Sequence, residues 1–356
     1  MGAHDNAPAE VDGMGLNEYL QMAEDIGAQP LLAVFAGYTL NGQHVDQADF
    51  GPIVQDALDE IEYAIGDTST PWGAKRAADG HPAPYDLHFV EIGNEDFFDG
   101  SGSYEWRFAD LYDAIKARYP QLQVVATTPV RSRTPDVVDE HSYMPPSAFV
   151  DASNRYDDRD RGGPRVLVGE YGGQQGSPTG TLGAAVGEAA FLTGLERNSD
   201  IIVGSMFAPM LVNENQPNWP TNMIGLNAAT SYPSPSYLVQ TLFSNNLGTR
   251  VIGSALSSGS TLRQDVTATT RNGRTTFFVK VVNASTALQS ARISFGGATR
   301  LDRTGTETVL TGDPGTRNTL TAPDAIKPST TQVNVADGQR FVFPANSVTV
   351  LRLTGR

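Results

Sequence analysis

The sequence predicts an α/β fold with a parallel sheet, followed by a smaller all-β domain. Helix-like and strand-like patterns alternate over residues 1–247, as they do in parallel α/β proteins. Over residues 248–356 the alternation gives way to segments in which every second residue is apolar, the period of a half-buried strand. A chain of 356 residues is long enough to hold both domains.

Short apolar segments are predicted to form the parallel sheet. Most of them are rich in Val, Ile, Leu or Phe, which favour strands, and they lie at residues 31–35, 88–92, 123–127, 137–141, 165–170 and 201–206. A closed parallel barrel needs eight strands, and this pattern supplies six. The pattern therefore predicts either an open sheet or a barrel from which two strands are missing.

Helices are predicted where apolar residues recur at three- and four-residue spacing. They cover residues 16–26, 53–65, 104–119, 182–197 and 236–245, with a short one at 149–154. Pro120 ends the third of these helices because proline has no backbone N–H to donate. Loops are predicted before the first helix and over residues 37–52, 66–86 and 209–231.

The clearest hairpin of the all-β region turns at Asn272-Gly273. Strand-like segments flank this pair at Val266–Thr270 and Thr275–Val282. Asn-Gly between alternating segments is the strongest short signal for a hairpin, because the turn needs positive φ at both positions. Further strands are predicted at residues 333–335, 340–343 and 348–353, and together they predict a β-sandwich.

The composition excludes several functional classes. The formal net charge is -15 and the pI about 4.7, which argues against nucleic acids and anionic membranes as partners. The chain has no cysteine, so disulfides and thiolate metal sites are excluded, and its five histidines lack metal-binding spacing. We therefore predict no metal and no other cofactor. No apolar run of about 18 residues predicts a membrane span.

Two glutamates follow apolar strands in the same arrangement. Glu95 comes after the strand at 88–92 and Gly93, and Glu170 comes after Val166–Val168 and Gly169. The carboxyl ends of parallel strands meet at one edge of a sheet, where active sites are commonly built. Glycoside hydrolysis needs such a pair, with one carboxyl as acid and base and the other as nucleophile or activator of water. On spacing alone, two strands that end in solvated polar turns remain the alternative.

These segments carry a resemblance to a known family. Val90–Phe98 and Val168–Tyr171 resemble the acid/base and nucleophile strands of the α-L-arabinofuranosidases of glycoside hydrolase family 51. The similarity covers almost the whole chain and extends to Asp12–Leu16, Leu32–Gly37, Gly194–Asp200, Phe207–Met210 and Pro235–Tyr237. The resemblance implies a retaining hydrolase that releases terminal non-reducing α-L-arabinofuranosyl residues from polysaccharides or oligosaccharides.

The resemblance also implies a more specific fold. The family has a (β/α)8-type barrel, and its chain carries two barrel strands before the point that matches Asp12. We therefore expect a barrel that lacks its first two strands over residues 1–247. An all-β sandwich of jelly-roll-like form is expected over residues 248–356.

Carried over by position, the family's motifs imply roles for individual residues. Glu95 corresponds to the general acid/base and Glu170 to the nucleophile. Asn94 corresponds to the asparagine that binds the sugar 2-hydroxyl. His141 corresponds to a histidine that supports the acid/base, and Tyr143 to a tyrosine that hydrogen-bonds the nucleophile.

Trp219 and Asn222 match a Trp-x-x-Gln pattern of the family in which the glutamine touches the arabinose. Asparagine is one methylene shorter than glutamine, which puts this contact in doubt. Without the resemblance, His141 would be interpreted as a core histidine, and Trp219, which lies in a predicted loop, either as a core residue or as part of a sugar site.

The implied partners follow from the resemblance and from the two barrel strands that this chain is expected to lack. We expect an arabinofuranosyl-containing carbohydrate as ligand, and either a homo-oligomer or an N-terminal fragment that completes the barrel. The polymer substrates predict an extracellular location, although residues 1–10 lack the features of a signal peptide and a cytoplasmic location is the alternative. The functional alternatives are a related glycanase, such as an endoglucanase or β-xylosidase, and a truncated non-catalytic carbohydrate-binding protein.

Overall fold

The computed structural model describes residues 14–40, 42–257, 259–296 and 300–356. Asp12 and Gly13, which belong to one of the family-like segments, lie outside the described residues, as does nearly all of the predicted N-terminal loop. The chain divides into two compact units. The first runs up to Glu140 and includes Arg161–Leu167, and the second comprises His141–Asp160 and Val168–Arg356.

The first unit consists of α/β structure. Its helices are α1 (Leu16–Asp25), α2 (Gly51–Ile65), α3 (Pro71–Ala78) and α4 (Tyr104–Arg118), with 3-10 turns at Gln47–Asp49 and Asp96–Phe98. Its strands are β1 (Leu31–Val34), β2 (Tyr38–Thr39), β3 (Gln43–His44), β4 (Phe89–Ile92) and β5 (Gln123–Ala126). Two longer strands, β6 (Val137–Met144) and β7 (Arg165–Gly173), begin in this unit and end in the second.

Strands of the first unit pair in parallel and are buried by helices. β1 pairs with β4, β4 with β5, and β5 with β6, all in the parallel sense. Val90 and Val124 in the strands form one apolar core with Ile61 of α2 and Phe108 of α4. Burial of this stripe on each helix explains why the three- and four-residue spacing predicted α2 and α4 correctly.

The second unit begins with helices and short strands. It contains α5 (Pro146–Asp151), a 3-10 turn at Ala152–Asn154, α6 (Leu182–Arg197), β8 (Ile202–Phe207), β9 (Leu211–Asn213), β10 (Ile224–Leu226), β11 (Ser231–Pro233) and α7 (Pro235–Ser244). The Thr181 hydroxyl accepts a hydrogen bond from Ala184 N–H and caps α6. α6 is buried along most of its length, and a Cβ at Gly194 would lie 2.1 Å from Ser153 O, so the close approach requires glycine.

The remaining strands form an antiparallel sandwich. They are β12 (Arg250–Val251), β13 (Arg263–Arg271), β14 (Arg274–Asn283), β15 (Gln289–Ile293), β16 (Thr304–Thr311), β17 (Ser329–Asn334), β18 (Gln339–Phe343) and β19 (Ser347–Gly355). One sheet has the order β12-β13-β14-β19-β16-β17 and the other pairs β15 with β18. Phe277, Leu351 and Phe343 belong to the core between them. The predicted hairpin is confirmed, with φ of 50° at Asn272 and 70° at Gly273.

All of the predicted parallel strands are present, in one sheet of order β1-β4-β5-β6-β7-β8 among the described residues. Three predicted loops contain structure that the sequence analysis missed: α3, the β2–β3 hairpin, and a small sheet of β9, β10 and β11. These strands have two or three residues, too few to show a period.

The change from α/β to all-β structure falls between α7 and β12, where the sequence predicts the domain boundary at residues 247/248. That these parts are separate domains stays a prediction. Within the described residues, no helix combines the length and apolar character that a membrane crossing requires.

Candidate active site

Glu95 has an unusual backbone conformation at the end of β4. Its φ of 54° and ψ of 30° are left-handed, and Gly93, two residues earlier, has φ of 88°. For a residue with a Cβ this conformation costs roughly 1–2 kcal/mol. The Glu95 N–H donates to Thr127 Oγ1 at 2.8 Å, which helps to hold it. Strained residues of this kind concentrate at functional sites.

A buried ion pair anchors the segment that carries Glu95. Asp96 Oδ1 lies 2.6 Å from Nη1 of the fully buried Arg107, and Asp96 Oδ2 accepts the Asn94 N–H at 3.0 Å. Arg107 also donates to Ala36 O, just after β1, at 2.6 Å. Burial raises the pKa of Asp96 to about 6, against the opposing effect of Arg107. The residues on either side of Glu95 are therefore tied to the interior of the first unit.

Glu170 is held by Tyr143 in the second unit. The Tyr143 hydroxyl donates to Glu170 Oε2 at 2.5 Å, and His141 Nδ1 lies 3.6 Å from the same oxygen. His141 and Tyr143 are two residues apart on β6, so their side chains leave the same face of the sheet. The hydrogen bond that the resemblance implies between Tyr143 and the nucleophile is present. It fixes the orientation of the carboxylate.

Trp219 places an aromatic ring next to this pair. Its ring centroid is 5.3 Å from that of Tyr143, and the residue is 40% exposed. An exposed indole beside the tyrosine that binds Glu170 is the kind of surface on which the apolar face of a sugar ring can rest. The structure thus brings His141, Tyr143, Glu170 and Trp219 together, while Asn94 and Glu95 lie at the end of β4 in the first unit.

Asn222 is buried, and its side chain forms hydrogen bonds with the backbone. Its Nδ2 donates to Pro178 O at 2.7 Å and to Trp219 O at 2.8 Å, and the residue is 2% exposed. Both amide protons are therefore used to hold the Trp219 loop, the segment between Asn213 and Ile224. A direct contact with the sugar stays a prediction, and it would fall to Oδ1.

His141 Nδ1 and Glu170 Oε2, 3.6 Å apart in the second unit, are atoms of the kind that ligate metals. That the protein needs no metal and no other cofactor stays a prediction.

Sequence reasoning missed residues that support the candidate site. Glu188 in α6 is buried, and its Oε1 accepts the Gly173 N–H at 2.8 Å, at the end of the strand that carries Glu170. Its signal was available, because it is the lone charged residue between Leu182 and Leu195. Arg107 and Thr127 gave no such signal: Arg107 lies in a helix with several charged residues, and Thr127 ends an ordinary strand.

Comparison with known families places almost the whole chain in one group. Residues 2–161 match the family described as "Alpha-L-arabinofuranosidase 1 domain". Residues 169–347 match the family described as "Alpha-L-arabinofuranosidase C-terminal domain".

Curated relatives of this chain are also named as α-L-arabinofuranosidases. "Alpha-L-arabinofuranosidase 2" of Arabidopsis thaliana is 33% identical over 346 residues, which is 94% of this chain and 51% of the relative. "Alpha-L-arabinofuranosidase A" of Aspergillus niger is 36% identical over 354 residues, 96% of this chain and 55% of the relative. The chain thus spans about half the length of these relatives.

Solved structures agree in fold. The arabinose-bound MgGH51 α-L-arabinofuranosidase matches with a TM-score of 0.92 and 36% identity, covering 98% of this chain and 58% of that one. An α-L-arabinofuranosidase from Thermotoga maritima, in complex with arabinose, matches with a TM-score of 0.76 over 96% of this chain and 79% of that one. At 17% identity the second match shows the fold alone. The predicted fold, a partial (β/α) barrel followed by a β-sandwich, is confirmed.

Proposed function

The chain belongs to the α-L-arabinofuranosidases of glycoside hydrolase family 51, and from this we propose that it carries the catalytic pair of a retaining α-L-arabinofuranosidase. The substrate is a terminal non-reducing α-L-arabinofuranosyl residue on an arabinose-containing polysaccharide or oligosaccharide. Because the chain spans about half of its curated relatives, the activity of these residues within this chain is part of the proposal.

The observation that carries the proposal is the 2.5 Å hydrogen bond from Tyr143 to Glu170 beside the exposed ring of Trp219. A tyrosine hydroxyl that donates to one carboxylate oxygen orients the other for attack. An exposed aromatic surface next to that tyrosine suits a sugar ring. A solvated polar turn at the end of a strand has no need of either feature.

In the first chemical step, Glu170 attacks the anomeric carbon and forms a covalent arabinofuranosyl ester, while the bond to the leaving oxygen breaks. Glu95 gives its proton to that oxygen. In the second step Glu95 takes a proton from water, the water attacks the same carbon, and the ester bond to Glu170 breaks. Arabinose leaves with its original configuration because the carbon has been inverted twice.

This double displacement requires the two carboxyl groups to lie about 5–5.5 Å apart. Glu95 comes just after β4, and Glu170 lies near the carboxyl end of β7. Carboxyl ends of strands in a parallel sheet share one edge, where active sites are commonly built. We assign Asn94 to the sugar 2-hydroxyl, His141 to the support of Glu95, Trp219 to the sugar face and Asn222 to the Trp219 loop.

The test is the stereochemistry of hydrolysis of an aryl α-L-arabinofuranoside. The first-formed arabinose, observed by proton NMR, should be the α-anomer, and Glu170→Ala should release almost none. Asp324→Ala serves as the matched control, because Asp324 is an exposed carboxylate in the sandwich region. A β-anomer as first product, or near-normal turnover by Glu170→Ala, would disprove the assignment.

The partner and the location are part of the same proposal. We propose that a further segment or a second copy completes the barrel around β1 and β8, the outer strands of the sheet. Native mass spectrometry of the active species would reveal it. We also propose an extracellular location, in line with a Streptomyces chartreusis relative named "Extracellular exo-alpha-L-arabinofuranosidase", 39% identical over 68% of this chain and 31% of that protein. Activity measured in culture medium and in cell extract tests this.

A further inference from the structure

Glu188 is a buried carboxyl group that the proposed mechanism does not use. It lies in the middle of α6, is 1% exposed, and accepts the Gly173 N–H at 2.8 Å through Oε1. Its other oxygen, Oε2, is buried without a hydrogen-bond partner, as is the Ser236 hydroxyl at the start of α7. Burying an ionised carboxylate oxygen without a hydrogen bond costs free energy. A protonated carboxyl group avoids this cost, because its O–H can donate a hydrogen bond to a nearby acceptor.

Gly173 ends the strand that carries Glu170, and the segment between them is tightly enclosed. Tyr171 O accepts the Ala208 N–H at 3.1 Å, and the Gln174 N–H donates to Met144 O at 2.9 Å. A Cβ at Gly173 would lie 2.8 Å from Glu188 Oε1, so the carboxyl sits directly against the backbone. The position of Glu170 therefore depends on a short segment whose last amide is bound by Glu188.

Few charged groups face Glu188. β7 contributes the buried Tyr171, and α7 contributes Ser236 and no charged side chain. β8 has no charged residue, and α5 has one, Asp151, at its far end. β13 and β14 also pack on α6, and their charged Asp265 and Lys280 face Glu196. Within α6 the next charged residue is Glu196, two turns away or about 12 Å along the axis. Burial raises the pKa of Glu188 to about 7, although Ser236 and the Gly173 N–H favour the ionised form.

We propose that Glu188 is a positioning residue for Glu170: as a neutral acid it binds the Gly173 amide and fixes the end of β7, and on ionisation it loosens that segment. The proposal rests on the proposed function for the role of Glu170. When neutral, one oxygen accepts the Gly173 N–H and the O–H can donate to Ser236. When ionised, the same group is a buried charge whose cost of burial exceeds what the Ser236 hydroxyl and the Gly173 N–H return, and opening of the segment to water relieves that cost.

Glu188→Gln tests this, because glutamine keeps one acceptor and one donor and cannot ionise. The measurement is hydrogen–deuterium exchange of residues 168–175, expressed as the ratio of wild type to Glu188→Gln at each pH, which cancels the intrinsic pH dependence. If opening restores the ordinary pKa of 4.5, the ratio should rise about tenfold between roughly pH 6 and pH 8.5. A ratio that stays constant, or faster exchange in Glu188→Gln near pH 6, would overturn the proposal.

Glu307→Gln is the matched control, since Glu307 is a partly buried carboxyl whose pKa burial also raises, but it lies on β16. It should leave the exchange of residues 168–175 as in wild type. In kinetics, Glu188→Gln should remove an alkaline decline in kcat while KM changes little; a decline in kcat that Glu188→Gln leaves in place would contradict the role in positioning Glu170.

Failure of the two proposals is distinguishable. If the wild type releases no arabinose, the proposed function fails, and the exchange ratio still decides whether Glu188 controls the end of β7. If arabinose is released and the ratio is flat, the function stands and the role of Glu188 is wrong.

Discussion

The Tyr143 hydroxyl donates a 2.5 Å hydrogen bond to Oε2 of Glu170 from the neighbouring strand of the sheet. A bond between a phenol and a carboxylate at this distance is charge-assisted, and it restricts the carboxylate to one orientation. In the proposed mechanism, the carboxylate that this bond orients is the nucleophile.

Tyr143→Phe should lower kcat by about 10–100-fold, because a hydrogen bond to a charged group contributes about 1.5–3 kcal/mol. KM for an aryl α-L-arabinofuranoside should change little, since the ring remains in place beside Trp219. Tyr237→Phe is the control, because Tyr237 is an exposed tyrosine on α7. An unchanged kcat in Tyr143→Phe would mean that the hydrogen bond has no part in turnover.

Azide should distinguish the two glutamates. Glu170→Ala should lose activity on the order of 10⁴-fold, and azide should restore part of it by attacking from the face that Glu170 occupied, giving an arabinofuranosyl azide of inverted configuration. In Glu95→Ala, azide should replace water in the second step and give the retained product. NMR of the isolated azides is the measurement, and the opposite pairing of variant and product would reverse the assignment.

Gly93→Ala should destabilise the protein by at least about 2 kcal/mol. Its φ is 88°, and a Cβ would lie 2.0 Å from Asp96 Oδ2, the atom that accepts the Asn94 N–H. Gly100→Ala is the control in the same loop, since a Cβ there meets open space, and it should change stability by less than about 0.5 kcal/mol. Denaturant unfolding measures both, and equal stabilities for the two variants would contradict the expected strain.

The stability of the second unit should fall as the pH rises from about 6 to 9. Glu196 and Asp265 are buried with Lys280, and burial raises the pKa of both carboxyls, that of Glu196 to about 8. The folded state therefore holds a proton that the unfolded state has lost, so stability is present at low pH and declines as the pH passes through the folded pKa.

Asp265→Asn should flatten that decline, because Glu196 and Lys280 then form a neutral pair at all of these pH values. The difference between wild type and variant should change by at least about 1 kcal/mol over this pH interval, measured by thermal unfolding. Glu188 contributes a decline in the same direction to both proteins, so it cancels in the comparison. Parallel pH profiles would show that the cluster does not carry the proton.

The sequence predicted the parts of the structure that require a particular kind of residue at particular positions. β4 and β5, inside the parallel sheet, are mostly buried and mostly apolar, and the hairpin at Asn272-Gly273 needs positive φ. α3 was missed because its segment, eight residues with a glycine, shows little apolar period. Its start signals, Thr70 as cap and Pro71 at the first position, are present in the sequence.

The residues of the candidate site also divide into those that the sequence predicted and those that it did not. Glu95 and Glu170 stand out because each interrupts the end of an apolar strand, and Tyr143 followed from the family motif. The position of Asn222 did not follow, since its side chain is occupied by the backbone of Pro178 and Trp219, a contact of loop geometry that no local pattern encodes. Glu188 acts through a backbone amide fifteen positions away, and such pairs are visible only in three dimensions.

α6 connects two regions that are remote in sequence. Near its middle, Glu188 binds the amide that ends β7, and two turns later Glu196 binds Lys280 of β14. Through this helix, β14 of the sandwich supports the end of β7, the strand that carries the proposed nucleophile Glu170. A chain shortened to its barrel portion would lose the contact between α6 and β14. We expect the position of the Glu170 carboxylate to change in such a chain, although every proposed sugar-binding residue is kept.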